Sequence, residues 1–123
     1  MAAQNPVGWF EIYVQDMPRA RAFYEKVLGL TLDKLPVDDL EMYSFPMAMD
    51  APGSSGALVK MAGVPSGGST LVYFVCDDCA VEGGRVVDAG GKIHRDKMSI
   101  GQYGFVVLAV DTEGNMFGLH SMK

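Results

Sequence analysis

Apolar and polar positions alternate from Trp9 to Val14. Trp9, Glu11 and Tyr13 fall on one side, and Phe10, Ile12 and Val14 on the other, which predicts a β-strand. Asp16 ends the extended run. Its carboxylate can cap the orphan amides of a new helix, and Pro18 suits the first helical turn. Ala20, Phe23, Tyr24, Val27 and Leu28 then recur at helical spacing, with Arg19, Arg21, Glu25 and Lys26 outside the stripe. Gly29 follows, where a left-handed C-cap is easiest without a side chain. A weaker copy, LVYFVCDDCAVEGGRVVDAGGKI, begins 61 residues later: Asp16 maps onto Asp77, Val14 onto Val75 and Gly29 onto Gly90.

The connecting segments complete two half-units. After the first helix, Thr31 to Leu40 reads as a polar connector, Leu40 to Met47 as an alternating strand, and Asp50 to Gly56 as a turn cluster. Ala57 to Met61 is a further short strand. Ala62 to Ser69 has the Gly/Ser-rich composition of a linker. In the second half, Thr70 to Val75 reads as a strand, and Cys79 to Asp88 as a helix weakened by Gly83 and Gly84, each costing about 1 kcal/mol. Strands follow at Lys92 to Lys97, Phe105 to Val110 and Met116 to Ser121, with turns at Ser99 to Gly104 and Asp111 to Asn115. Each half is β-α-β-β-β. The expectation is a single domain, residues 1–123, of α+β class, built of half-units 1–62 and 69–123. Two such units side by side close a curved mixed sheet around a cleft, where a ligand would sit.

Composition narrows the partners. Nearly half the residues are hydrophobic, enough for a real core at this length. A net charge of −5 argues against nucleic acid or an anionic membrane, because neither would gain counterion release. No apolar run is long enough to span a bilayer. The start, MAAQNPVGWF, lacks a basic region followed by an apolar stretch, so no secretory signal is expected and a cytoplasmic location is the default. Cys76 and Cys79 have redox or zinc-pair spacing, but no second pair accompanies them, and Cys76 at a strand end serves as a small hydrophobe.

The stretches FEIYVQDMPRARAFYEKVLGL, AGGKI and YGFVVLAVDTEGNMFGLHS resemble the vicinal oxygen chelate superfamily of glyoxalase I, bleomycin-resistance proteins and extradiol dioxygenases. The likeness runs over nearly the whole chain and implies the glyoxalase/bleomycin-resistance fold. It also implies a divalent metal such as Ni, Zn, Fe or Mn, held by His or Glu from four cleft strands. The residues at those positions are Trp9, some member of Ala57 to Met61, Leu71 and Gly118. Indole, leucine and glycine offer no lone pair to such a metal, so the expected metal-ligand set is none. Glu11 and His120 could contribute to a displaced site, but two ligands are fewer than the three a catalytic metal keeps. No catalytic residue is assigned.

Trp9, Tyr13, Tyr43, Phe45, Tyr73, Phe105 and Met116 are the candidate cleft lining, with Glu11 and His120 as polar contacts. Aromatics with polar tips and adaptable Met suit a flat or partly apolar organic molecule; each could equally fill the core. Three functions compete. The first is a metal-independent, homodimeric binding protein that sequesters a small molecule. The second is a metal-dependent lyase, isomerase or dioxygenase with a nonstandard site. The third is a dimeric interaction module without a small ligand.

Overall fold

A computed structural model describes residues 5–51, 53–67 and 70–123. Gly68 and Ser69 of the expected linker, and Pro52 of the expected turn cluster, lie outside the described residues. The chain groups into two compact units: Trp9–Thr70, and Leu71–Lys123 together with the segment up to Gly8.

The first module contains β1 (Val7–Tyr13), α1 (Met17–Leu28), β2 (Asp33–Lys34), β3 (Glu41–Ser44) and β4 (Ser55–Lys60). Its sheet order is β2-β3-β4-β1; β4 runs antiparallel to β3 and parallel to β1. The second module contains β5 (Thr70–Val75), α2 (Cys79–Gly83), β6 (Lys92–Ser99), β7 (Phe105–Val110) and β8 (Met116–Ser121). Its order is β5-β8-β7-β6, with β5 parallel to β8 and the remaining pairs antiparallel. Strand for strand, the connectivity and pairing are the same. The α+β class and the two βαβββ units expected from the repeat are both present.

In the first module the strand-to-helix switch follows the sequence. Asp16 is extended, and its carboxylate accepts the Arg19 amide at 3.0 Å. Gly29 closes the helix at φ +66°, where a side chain would be strained, and its amide bonds the Glu25 carbonyl. Met17, Ala20 and Tyr24 pack onto Val14, Phe45 and Leu58 in one core cluster. Phe23, Val27 and Leu28 do not: each is more than half exposed. A helix lying on a sheet buries only the narrow stripe that faces it, and here that stripe starts at Met17.

The second module departs from the repeat in two ways. The cap of α2 is Asp78, whose carboxylate accepts the Ala80 amide at 3.0 Å, so the equivalent of Asp16 lies 62 positions on and is not Asp77. The α-helix also stops at Gly83 instead of reaching Asp88. Beyond it, Arg85, Val86 and Gly90 donate to carbonyls three residues back, and the chain proceeds in tight turns. The pair Gly83–Gly84 removes the propensity needed to carry a regular helix further. Other differences are small: β2 is a two-residue strand inside the expected connector, and a single 3₁₀ turn occupies Gly101–Tyr103.

Leu58 is fully buried at the centre of the first module's core. Leu58→Ala is expected to cost about 3 kcal/mol in urea unfolding, from lost transfer free energy plus the cavity left behind. Removing the cap, Asp16→Ala, should cost only about 1 kcal/mol. Equal losses would mean that helix capping, not the core, limits this module.

Candidate functional site

The β1 register divides the candidate residues. Phe10, Ile12 and Val14 face α1 and the core. Trp9, Glu11 and Tyr13 therefore occupy the opposite face, two residues apart, where neighbouring side chains on one side of a strand can meet. Glu11 is 7% exposed. Its carboxylate accepts a hydrogen bond from the Tyr13 hydroxyl at 2.9 Å and another from the Trp9 indole N–H at 3.3 Å. A buried carboxylate survives only where donors replace lost water, and here the strand supplies two of them from its own sequence. Tyr13 responds in kind: burial first, then the Glu11 charge, then the hydrogen bond to Glu11 push its phenol well above the ordinary tyrosine range. Next to this trio in the parallel pairing, Glu11 sits beside Ala57 and Tyr13 beside Val59, both fully buried.

Tyr43 and Phe45 lie elsewhere. Tyr43 pairs with Leu58 across β3 and β4, and both aromatics pack in the core cluster beneath α1. Phe45 meets Phe10 and Tyr24 at ring separations of 5.6 and 5.9 Å, and the Arg21 guanidinium stacks 4.3 Å from the Tyr43 ring centre. The cleft lining expected of these two residues is thus taken up by core packing. Strand phase is the reason: Tyr43 stands opposite Leu58 and so shares its helix-facing side, and Phe45, two residues on, follows it.

In the second module, Tyr73 pairs with Gly118 and Val75 with His120, so Tyr73, Met116, Gly118 and His120 share the face away from α2. His120 Nε2 lies 2.6 Å from the Tyr103 carbonyl oxygen. A carbonyl can only accept, so this nitrogen carries the proton and donates. Phe105 faces the other way: it packs in the cluster with Val107 and Leu119, and the Lys97 ammonium lies 4.8 Å from its ring centre.

The repeat now places the four metal-ligand positions. Val14 and Cys76 make equivalent amide bonds, to the carbonyls of Val59 and His120. Glu11 therefore corresponds to Tyr73, and Trp9 to Leu71. Since Glu11 pairs with Ala57 and Tyr73 with Gly118, the β4 position equivalent to Gly118 is Ala57. The four residues are thus Trp9, Ala57, Leu71 and Gly118. Ala57 and Leu71 have only hydrocarbon, and the indole N–H of Trp9 is committed to Glu11. A Cβ added at Gly118 would lie 2.2 Å from a Tyr73 ring carbon, far inside contact distance. These residues do not fit a metal of the kind the fold implies. Among the described residues no group of three or more His, Cys, Asp and Glu side chains could hold an ion together.

Both cysteines are free and buried. Burial, the nearby Glu82 charge and the Cys79 thiol push the Cys76 thiol up to about 11. Glu82 itself escaped the sequence reading: on a full helix it would be one more surface acid. Its importance comes from the short α2, which turns it inward.

The sequence pattern of the Glyoxalase/Bleomycin resistance protein/Dioxygenase superfamily matches residues 7–119. Proteins of Mycobacterium bovis and Mycobacterium tuberculosis, each named "Putative glyoxylase CFP32", are 29% identical over 111 residues. Those residues are 90% of this chain, which spans only 42% of either relative's length. The methylmalonyl-CoA epimerase of Mycobacterium tuberculosis superposes with a TM-score of 0.72 at 14% identity, covering 100% of this chain and 93% of that one. A Streptomyces coelicolor methylmalonyl-CoA epimerase variant in complex with 2-nitronate-propionyl-CoA gives 0.69 at 15% identity, covering 97% and 98%. At these identities the solved structures show the fold, and the fold agrees with the two βαβββ modules.

Tyr13 should resist ionisation well beyond the ordinary tyrosine range when phenolate absorbance is followed with pH. Because its folded pKa is raised, its contribution to stability is complete below about pH 10, the unfolded value, and is lost as pH climbs through the folded value. Glu11→Gln should lower the Tyr13 transition only partly, since burial is the largest cause. Full return to the ordinary range would mean that the carboxylate alone sets it.

Proposed function

The chain belongs to the Glyoxalase/Bleomycin resistance protein/Dioxygenase superfamily, and from that membership we propose that it binds and sequesters a small, partly apolar aromatic molecule without metal-centred turnover. The observation carrying this reading is the donor chemistry at the four ligand positions: Trp9, Ala57, Leu71 and Gly118 give a divalent ion no lone pair of the kind it takes. What β1 presents instead is an aromatic pair flanking a fixed carboxylate.

Each residue has a role in this proposal. Trp9 and the ring of Tyr13 supply flat apolar area at little conformational cost. Glu11 attracts a cationic or hydrogen-bond-donating group on the ligand. It is preorganised, because Trp9 and Tyr13 hold it in one orientation before any ligand arrives. In the second module Tyr73, Met116 and His120 form the corresponding proposed surface. The reading includes a homodimer. A ligand as anionic as the coenzyme A ester held by the Streptomyces epimerase suits this chain poorly, given its net charge of −5 and the carboxylate at the centre of the proposed site.

Metal analysis and ligand binding together test the proposal. Purified protein that has never met a chelator should have far less than one nickel, zinc, iron or manganese per subunit. Trp9 is the single tryptophan, so its emission reports on β1. The flat aromatic cation proflavine should quench it saturably, and Glu11→Gln should weaken that binding about tenfold, equivalent to about 1.4 kcal/mol. Near-stoichiometric metal that vanishes in Glu11→Gln would instead make the protein an enzyme with a displaced site. Absence of both metal and quenching would favour the interaction module.

A further inference from the structure

The truncation of α2 opens a second pocket, within the second module and on the face opposite Tyr73 and His120. α1 runs for 12 residues and covers its sheet, whereas α2 runs for 5. Gly83 lets α2 sit close on the sheet: a Cβ there would lie 3.3 Å from a Val107 methyl. Past Gly83 the tight turns lead away, and between them and the ends of β7 and β8 lies a pocket of about 280 Å³. Its walls include Val86, Ala89, Val110, Phe117 and Leu119.

One polar group breaks this apolar lining from within. Glu82 lines the pocket half-buried; its Oε1 is cut off from solvent, and the carboxylate's hydrogen-bond partner is the Cys76 thiol, a weak donor. A carboxylate set in an apolar wall with only a thiol as donor has acceptor capacity to spare, and a ligand carrying N–H donors and positive charge would use it. At the pocket edge Asp111 is held ionised, first by the Asn115 amide and side chain and then by the Glu113 amide, so it adds a second negative charge. Arg85 is the lining's one cation, and it is exposed. Two carboxylates against one solvated guanidinium favour a cation over an anion. The apolar walls ask for a hydrocarbon body, and the volume is at the lower end of ligand pockets.

We propose that this pocket binds a small organic ammonium compound, its ammonium group on Glu82 and its apolar body against Phe117 and Leu119. Loss of helix in the second half of the repeat would then have created this ligand site. The inference does not depend on the function proposed for β1.

Isotope-labelled protein titrated with benzylammonium, and with benzyl alcohol as the neutral analogue, tests it through backbone amide shifts. Benzylammonium should move the amides of Glu82, Gly91 and Leu119 saturably, and the alcohol should bind at least about tenfold more weakly, as expected for loss of a charge-assisted bond. Glu82→Gln should erase the difference between the two. Ala89→Trp should fill the pocket and abolish both while the remaining amide spectrum is unchanged; this variant decides the matter if Glu82→Gln misfolds. The proposal fails if wild type shows no saturable shift there, if the alcohol binds as tightly, or if folded Glu82→Gln keeps full affinity for the ammonium. Shifts confined to Trp9 and its strand would also sink it, while leaving the β1 reading intact.

Discussion

In each module the first strand lies parallel to the last, and that pairing decides what every other side chain can do. Parallel neighbours point the same way, so the pairing Glu11–Ala57 puts all of Trp9, Glu11, Tyr13, Ala57 and Val59 on one face. The same constraint leaves Phe10, Ile12 and Leu58 to meet α1. A parallel pair cannot be joined by a tight turn, and the helix and two strands in between are the crossover this geometry demands. Slipping the register by one residue would bury Trp9, Glu11 and Tyr13 beneath the helix. The carboxylate would then stand among apolar groups such as Phe45, and Phe10, Ile12 and Val14 would be turned out of the core, so the register is protected by the cost of burying the acid there as well as by hydrophobic fit.

Much of this was legible in the residues, and the exceptions have definite causes. Alternation located β1, and short unbroken apolar runs located β5 and β7. Asp16 and Gly29 marked the ends of α1 because each satisfies a backbone group that nothing else nearby can reach. In the second copy two adjacent aspartates offered the same chemistry, and only the strand register shows that Asp78, not Asp77, follows Cys76 at the capping distance. Tyr43, Phe45 and Phe105 were misplaced for a related reason. An aromatic in a strand declares that one face is buried, but not which one, and the helix occupies one of the two. The exposed Phe23, Val27 and Leu28 show the limit of periodicity: it identifies a helical stripe wider than the contact the sheet can offer.

The position shared by Glu11 and Tyr73 illustrates how a duplicated framework takes on different chemistry. Both residues stand centrally on their strands, beside a small partner on the neighbouring strand, Ala57 in one case and Gly118 in the other. Small partners make room for whatever stands next to them. In the second module the Tyr73 ring uses that room, lying where any side chain at Gly118 would be. In the first module the occupant is a carboxylate flanked by donors. Substituting ligands for Trp9 or Gly118 alone would therefore not restore a metal centre, because the space and the hydrogen bonds at those positions already belong to Glu11 and Tyr73.

The two helices carry the same logic to the outer face of the fold. A 12-residue amphipathic helix covers the first sheet: Glu25 accepts the Leu32 amide at 2.9 Å and pairs with Arg21 at 3.4 Å, while Arg21 Nε is buried without a hydrogen-bond partner among the described residues. The second helix stops at Gly83 after 5 residues, against 12 in the first, and one oxygen of its acid, Glu82, is cut off from solvent. A half-buried acid beside a raised Cys76 thiol and an open, largely apolar pocket belongs to the second copy of the βαβββ unit. It is a property added to one copy, on the side of the sheet that the superfamily's metal positions do not use.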